Sequence, residues 1–154
     1  MATYSIGEQI VQAMAKALCG ASTLPTGGVY SAALGATVYR SRTDPFTRAQ
    51  VPAVNLISVG GPIDQPVIPK LQWKKTVHVQ IFVRASPAPD TVADAIKVAA
   101  NAALMADMGL GGLALQIIPV AEHIQLSDAD TESCVLTLEY EIEYRTDQVN
   151  LAIQ

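Results

Sequence analysis

Residues 136–145 alternate without a break. Leu136, Leu138, Tyr140, Ile142 and Tyr144 fall on one side, and Thr137, Glu139, Glu141, Glu143 and Arg145 on the other. A period of two over this span marks a half-buried strand. Sliding it by one residue would turn three carboxylates into the core, so its pairing register is strongly specified. A second alternating run brings Val77, Val79, Ile81 and Val83 to one face and Thr76, His78, Gln80 and Phe82 to the other.

Around these two strands the chain carries helical signals. Ser5-Ile6-Gly7-Glu8 has the capping-box form, in which a serine hydroxyl and a glutamate carboxylate satisfy free amides at a helix start. Ile6, Ile10, Met14, Ala17 and Leu18 follow at helical spacing, which predicts a first helix to about Leu18 and a stop at Gly20. A second helix is expected from Asp90 as N-cap to Gly109, with Val92, Ala95, Ile96, Ala99, Ala103 and Ala106 as its core stripe. Its opposite stripe reads Asp94, Lys97, Asn101, Leu104, Met108, polar first and apolar last. Leu104 and Met108 are therefore candidates for contact with a neighbouring subunit, the alternative being helix-end apolar residues packed under a loop.

Further strands are expected over residues 29–40, broken at Gly35, and over 53–59. The Gly- and Pro-rich stretch 60–69 reads as a long excursion, too broken for a sheet. Ser86-Pro87-Ala88-Pro89 turns the chain. Strands over 113–118 and 120–126 and a turn over 127–130 precede the terminal strand. No internal repeat or second domain is visible, so residues 1–154 are expected to form one domain.

Composition narrows the function classes. Only 16% of residues are charged, against about 25% in an ordinary soluble domain. A surface so poor in charge suits a protein whose faces are covered by neighbours. The net charge of −4 argues against a dedicated nucleic-acid binder. Cys19 and Cys134 lie far apart with no CxxC, as expected of reduced structural thiols. No targeting signal and no membrane segment are expected.

Nor does a reactive centre emerge. Glu139, Glu141 and Glu143 stand about 6.6 Å apart from the rise of a strand, within the window of glycoside-hydrolase carboxylates. Such chemistry needs contrasting environments, and a regular solvated row offers similar ones. His78, His123, Cys19 and Cys134 lack metal-ligand spacing. The glycines of 109–112 follow a helix, whereas a phosphate cradle precedes one. No G-x-S-x-G elbow exists. Lys70, Trp73, Lys74 and Lys75 form a basic, aromatic patch that could stack on nucleic acid; the plainer expectation is a tryptophan anchoring a loop beneath snorkelling lysines. No enzyme activity, cofactor or metal is expected.

What remains is cationic. Tyr39-Arg40-Ser41-Arg42-Thr43-Asp44-Pro45-Phe46 ends a strand in two arginines, and Arg48 follows before the next strand at Val51-Pro52-Ala53-Val54. Arg40, Arg42, Phe46 and Arg48 join Leu104 and Met108 as candidate interface residues. Exposed arginines at strand ends suit bidentate pairing with a neighbour's carboxylates. Replacing the three arginines together is expected to spare the fold and impair joining to partners.

The order of elements, with Tyr39-Arg40-Ser41-Arg42-Thr43-Asp44-Pro45 and the closing Tyr140-Glu141-Ile142-Glu143-Tyr144-Arg145-Thr146, resembles the tail terminator (tail completion) proteins of long-tailed bacteriophages across nearly the whole chain. The resemblance implies an α+β fold, with a mixed, mainly antiparallel sheet packed against two main helices. It also implies a homohexameric ring that caps the tail tube, meets the tail tube protein and a neck or connector protein, and passes genomic DNA without binding it specifically. The protein would then reside in the virion at the tail–neck junction after assembly in the host cytoplasm. Glu139, Glu141 and Glu143 would line the lumen or an interface, and the 42–50 loop and 60–69 excursion would touch neighbouring subunits or rings. A head–tail connector or neck adaptor, and a small cytoplasmic α+β enzyme or ligand-binding protein, are the competing readings.

Overall fold

The computed structural model describes residues 4–127 and 132–154. Positions 128–130 of the turn expected over 127–130 lie outside the described residues. The two alternating runs become the longest strands, β5 (Lys70–Arg84) and β7 (Ser133–Asp147), paired antiparallel from Lys70↔Asp147 to Arg84↔Ser133. Val77, Val79, Ile81, Val83, Leu136, Tyr140 and Ile142 are buried on one face, as the alternation demands.

Flanking this pair are β1 (Val29–Ser31), β2 (Ala36–Arg40), β3 (Ala53–Gly60), β4 (Ile63–Val67) and β6 (Gln116–Ser127), in the order β1-β2-β3-β5-β7-β6. β2 and β3 run parallel and every other pair antiparallel, so the sheet is mixed and mainly antiparallel.

The stretch expected to be an excursion is β4, which pairs with β5 beyond the end of β3. The register shifts between Asp64 and Val67, and position 66, a proline with no amide to donate, falls inside that irregularity at a sheet edge, where proline is tolerated. At Gly61 a β-carbon would stand 1.7 Å from the Lys74 carbonyl oxygen, so only glycine fits this crossing. The two strands expected around Pro119 are a single β6 with a register shift between Pro119 and Ala121.

Both helices cover the face that carries the buried row. α1 (Ile6–Cys19) starts at Ser5, whose hydroxyl accepts from the Glu8 amide at 3.3 Å, and stops at Gly20 with φ 80°. Ile6, Ile10, Met14 and Leu18 are buried as expected, with Val11 and Ala15, while Ala17 faces solvent. α2 (Pro89–Met105) begins with Pro89 at its first turn and Ala88, not Asp90, as cap, and it ends four residues before Gly109.

The inward stripe of α2 is Ala93, Ile96, Ala100 and Leu104; Val92, Ala95 and Ala106 are exposed, and Ala99 and Ala103 half-buried. The helix is rotated so that Ile96 and Leu104 both point inward. Six strands at about 4.8 Å spacing put the outer strands about 24 Å apart, while two helices cover about 20 Å. One edge must stay bare, and it is β6.

Candidate assembly surfaces

The three arginines do not form one patch. Arg40 lies on the helix-covered face and donates to both carboxylate oxygens of Glu8, at 2.7 and 2.6 Å. The Arg40 hydrogen bonds hold the Glu8 carboxyl below its ordinary range, and the guanidinium is raised in turn. Half-buried Lys75 sits in the same field, its ammonium lowered by desolvation. Arg40 therefore ties β2 to α1, and Glu8 turns to this pair instead of closing its capping box. The expectation of an exposed Arg40 is corrected: its partner lies 32 positions away, and removing all three arginines would disturb the fold.

Arg42 starts a rigid loop. Its backbone N–H donates to the Asn55 side-chain oxygen at 3.1 Å, and its carbonyl accepts from the Asn55 amide nitrogen at 2.9 Å. Asn55 is buried on β3, so its side chain clamps the loop like one more rung of the sheet. The Arg42 guanidinium lies over the rings of Phe46 and Tyr39, at 4.6 and 5.0 Å. It also donates to the backbone carbonyls of Asp44 and Pro45 and to the Gln50 side-chain oxygen. All these partners are uncharged, so the charge of Arg42 is held in place without being neutralised.

Phe46, expected at an interface, packs against Tyr39 and Phe82 at 5.1 and 4.6 Å between ring centres. It folds the loop over the second face of the sheet. Arg48 is exposed on a single 3-10 turn, Arg48–Gln50. Beside the loop lies an open polar cleft of about 530 Å³ lined by Thr26, Arg40, Ser41, Arg42 and Asp44. Ser41 there has φ 51°, in the left-handed region.

Leu104 is wholly buried and cannot be an interface residue; its stripe packs into the core. Met108 is 58% exposed in the turns after α2. The acidic row is half-buried and cross-linked. Lys74 reaches Glu143 at 3.3 Å and Glu141 at 3.9 Å, and His78 stands 3.6 Å from Glu139. These partners come from β5, directly opposite on the open face, so the expected solvated row is a cross-strand ladder. Trp73, expected to anchor a loop, is instead a strand residue of β5: it stacks on its cross-strand partner Tyr144 with ring centres 5.9 Å apart and donates its indole N–H to Thr146.

The bare edge carries what sequence reasoning missed. Ile124 and Leu126 belong to the helix-facing side of β6, yet they are 51% and 63% exposed, and Val98 of α2 is 60% exposed. Between α2 and β6 runs an open groove of two separate hollows, one lined by Leu138, Val98 and Pro119 and the other by Leu136 and Ile124. On its rim, Lys97 pairs with both Asp94 and Glu122, so two carboxylates share one ammonium, and Asp90 lies alongside. The signal was a count of layers: two helices cannot cover six strands.

Among the described residues no helix is long and apolar enough to cross a membrane, and no three His, Cys, Asp or Glu side chains converge as a metal site. Both cysteines are free thiols. No protein-family model matches the chain, and no curated protein matches it.

Proposed function

We propose that this chain is a structural virion protein of a long-tailed bacteriophage: six copies close into a ring on the finished tail tube, stop its growth and offer the surface to which the head–neck connector joins. The observation that carries the reading is the bare β6 edge, where Val98, Ile124 and Leu126 expose apolar side chains beside α2. Exposed apolar clusters rimmed by polar groups mark protein–protein contacts. The Tyr39–Pro45 and Tyr140–Thr146 segments supply the likeness to tail terminators. The Glu139, Glu141 and Glu143 ladder, turned toward a lumen, would repel passing DNA by the electrostatics that draw cations to it.

The cleft beside Ser41 favours a second reading, a ligand-binding protein. It is the weaker one, because Arg40 is committed to Glu8 and the cleft is open to solvent. The test is tube elongation. Purified chain added to polymerising tail tubes of its own phage should stop growth at a defined length. Tubes that lengthen unchecked while connectors fail to join them would reject the reading.

A further inference from the structure

The strand order places two unlike surfaces at opposite edges of one sheet. At the β1–β2 edge, residues 21–52 hold three arginines and one aspartate; Arg40 is neutralised by Glu8, which leaves Arg42 and Arg48 against Asp44, a net charge of +1. Arg42 is fixed there with only neutral partners, and Tyr30 of the outermost strand is 65% exposed. At the other edge, α2 and β6 together hold Asp90, Asp94 and Glu122 against Lys97, a net charge of −2. That edge carries the apolar groove.

We infer that the occupant of the α2–β6 groove is the β1–β2 edge of a second copy of this chain, with Arg42 set against Asp94 and Glu122 and the exposed Tyr30 against the apolar floor. This rests on the assembly reading above and deepens it by naming the two faces. The charges are complementary, and the faces differ, so the contact is head-to-tail and can close into a ring. Stacking on Tyr39 and Phe46 holds Arg42 in one arrangement before contact, which lowers the ordering cost of binding. Sheet continuation is not the mode. Pro119 and the adjacent register shift interrupt the free edge of β6, as proteins do to block strand addition, so the contact is made by side chains.

The test uses two charge-reversed proteins, Arg42→Glu and the double variant Asp94→Lys/Glu122→Lys, with circular dichroism confirming that each is folded. Sedimentation equilibrium of the unaltered chain, up to millimolar concentration at low salt, should show reversible association that weakens as salt rises. Each variant alone sets like charge against like and should associate at least roughly tenfold more weakly. An equimolar mixture should recover association, because alternating copies then join a reversed edge to a reversed groove at one contact and an unaltered edge to an unaltered groove at the next. An unaltered chain that stays monomeric, or a mixture no better than its parts, overturns the inference. Association that ignores both variants, while they fail to cap tubes, assigns the groove to a tube or neck protein and also overturns it. Recovery in the mixture without capping of any tube would leave the contact standing and reject the tail-terminator reading.

Discussion

Removing Glu8 should destabilise the protein more than removing Arg40, although the two residues form one ion pair. The pair is bidentate, at 2.7 and 2.6 Å, and its side chains keep 26% and 31% exposure. Its coupling should therefore exceed the 0–1 kcal/mol of a surface pair and stay below the range of a buried one, at about 1–2 kcal/mol. When Arg40→Ala is made, Glu8 still has Lys75 as a counter-charge. When Glu8→Ala is made, Arg40 and half-buried Lys75 are left as two cations with no carboxylate between them. We expect a loss of about 1–2 kcal/mol for Arg40→Ala and about 2–3 kcal/mol for Glu8→Ala, read from urea unfolding midpoints of the singles and the double. The folded-state pKa of Glu8 is depressed, so the coupling is present above the unfolded carboxylate range and fades as pH falls through it and below. Equal losses, or a coupling below about 0.3 kcal/mol at neutral pH, within the scatter of independent sites, would refute the reasoning.

Leu104→Ala should cost about 2–5 kcal/mol as a core cavity, whereas Met108→Ala should change stability by about 0.5 kcal/mol or less; thermal unfolding of the two compares them directly. Tyr140 donates to the Asn101 side-chain oxygen at 3.0 Å, and burial pushes its phenol up to about 12. Its neutral form is therefore favoured in the fold, and stability should fall between the ordinary phenol range near about 10 and about 12. Tyr140→Phe should remove that alkaline loss while costing about 1 kcal/mol at neutral pH. Replacing Glu139, Glu141 and Glu143 with glutamine should change stability by about 1 kcal/mol or less, because Lys74 and His78 are partly exposed partners. The same triple variant should slow DNA passage or weaken subunit contact in a head–tail joining assay.

The parts of the fold legible in the sequence are those where burial writes a strong period. β5, β7 and α1 follow directly from alternation or 3–4 spacing of large apolar residues. α2 did not, because its alanines give nearly the same hydropathy on every stripe, and only the inward turn of Ile96 and Leu104 settles its rotation. β4 was hidden because glycine and proline normally break sheets, whereas here they sit at an edge and a crossing. The role of Arg40 was illegible for another reason: its partner Glu8 is brought near only by the packing of α1 on β2. Phe46 read as an interface residue, and its packing against Tyr39 and Phe82 depends on a loop fold that Asn55 imposes from 13 positions away and that the Thr47–Gln50 capping box closes.

The most direct measurement of the central claim is electron microscopy of tail tubes capped by this chain, with the copy number resolved at the tube end. A closed ring of six copies is expected at the neck-proximal end, with the β1–β2 edge of each copy seated on α2 and β6 of the next. A different copy number, or density for the chain elsewhere on the tail and none at that end, would contradict it.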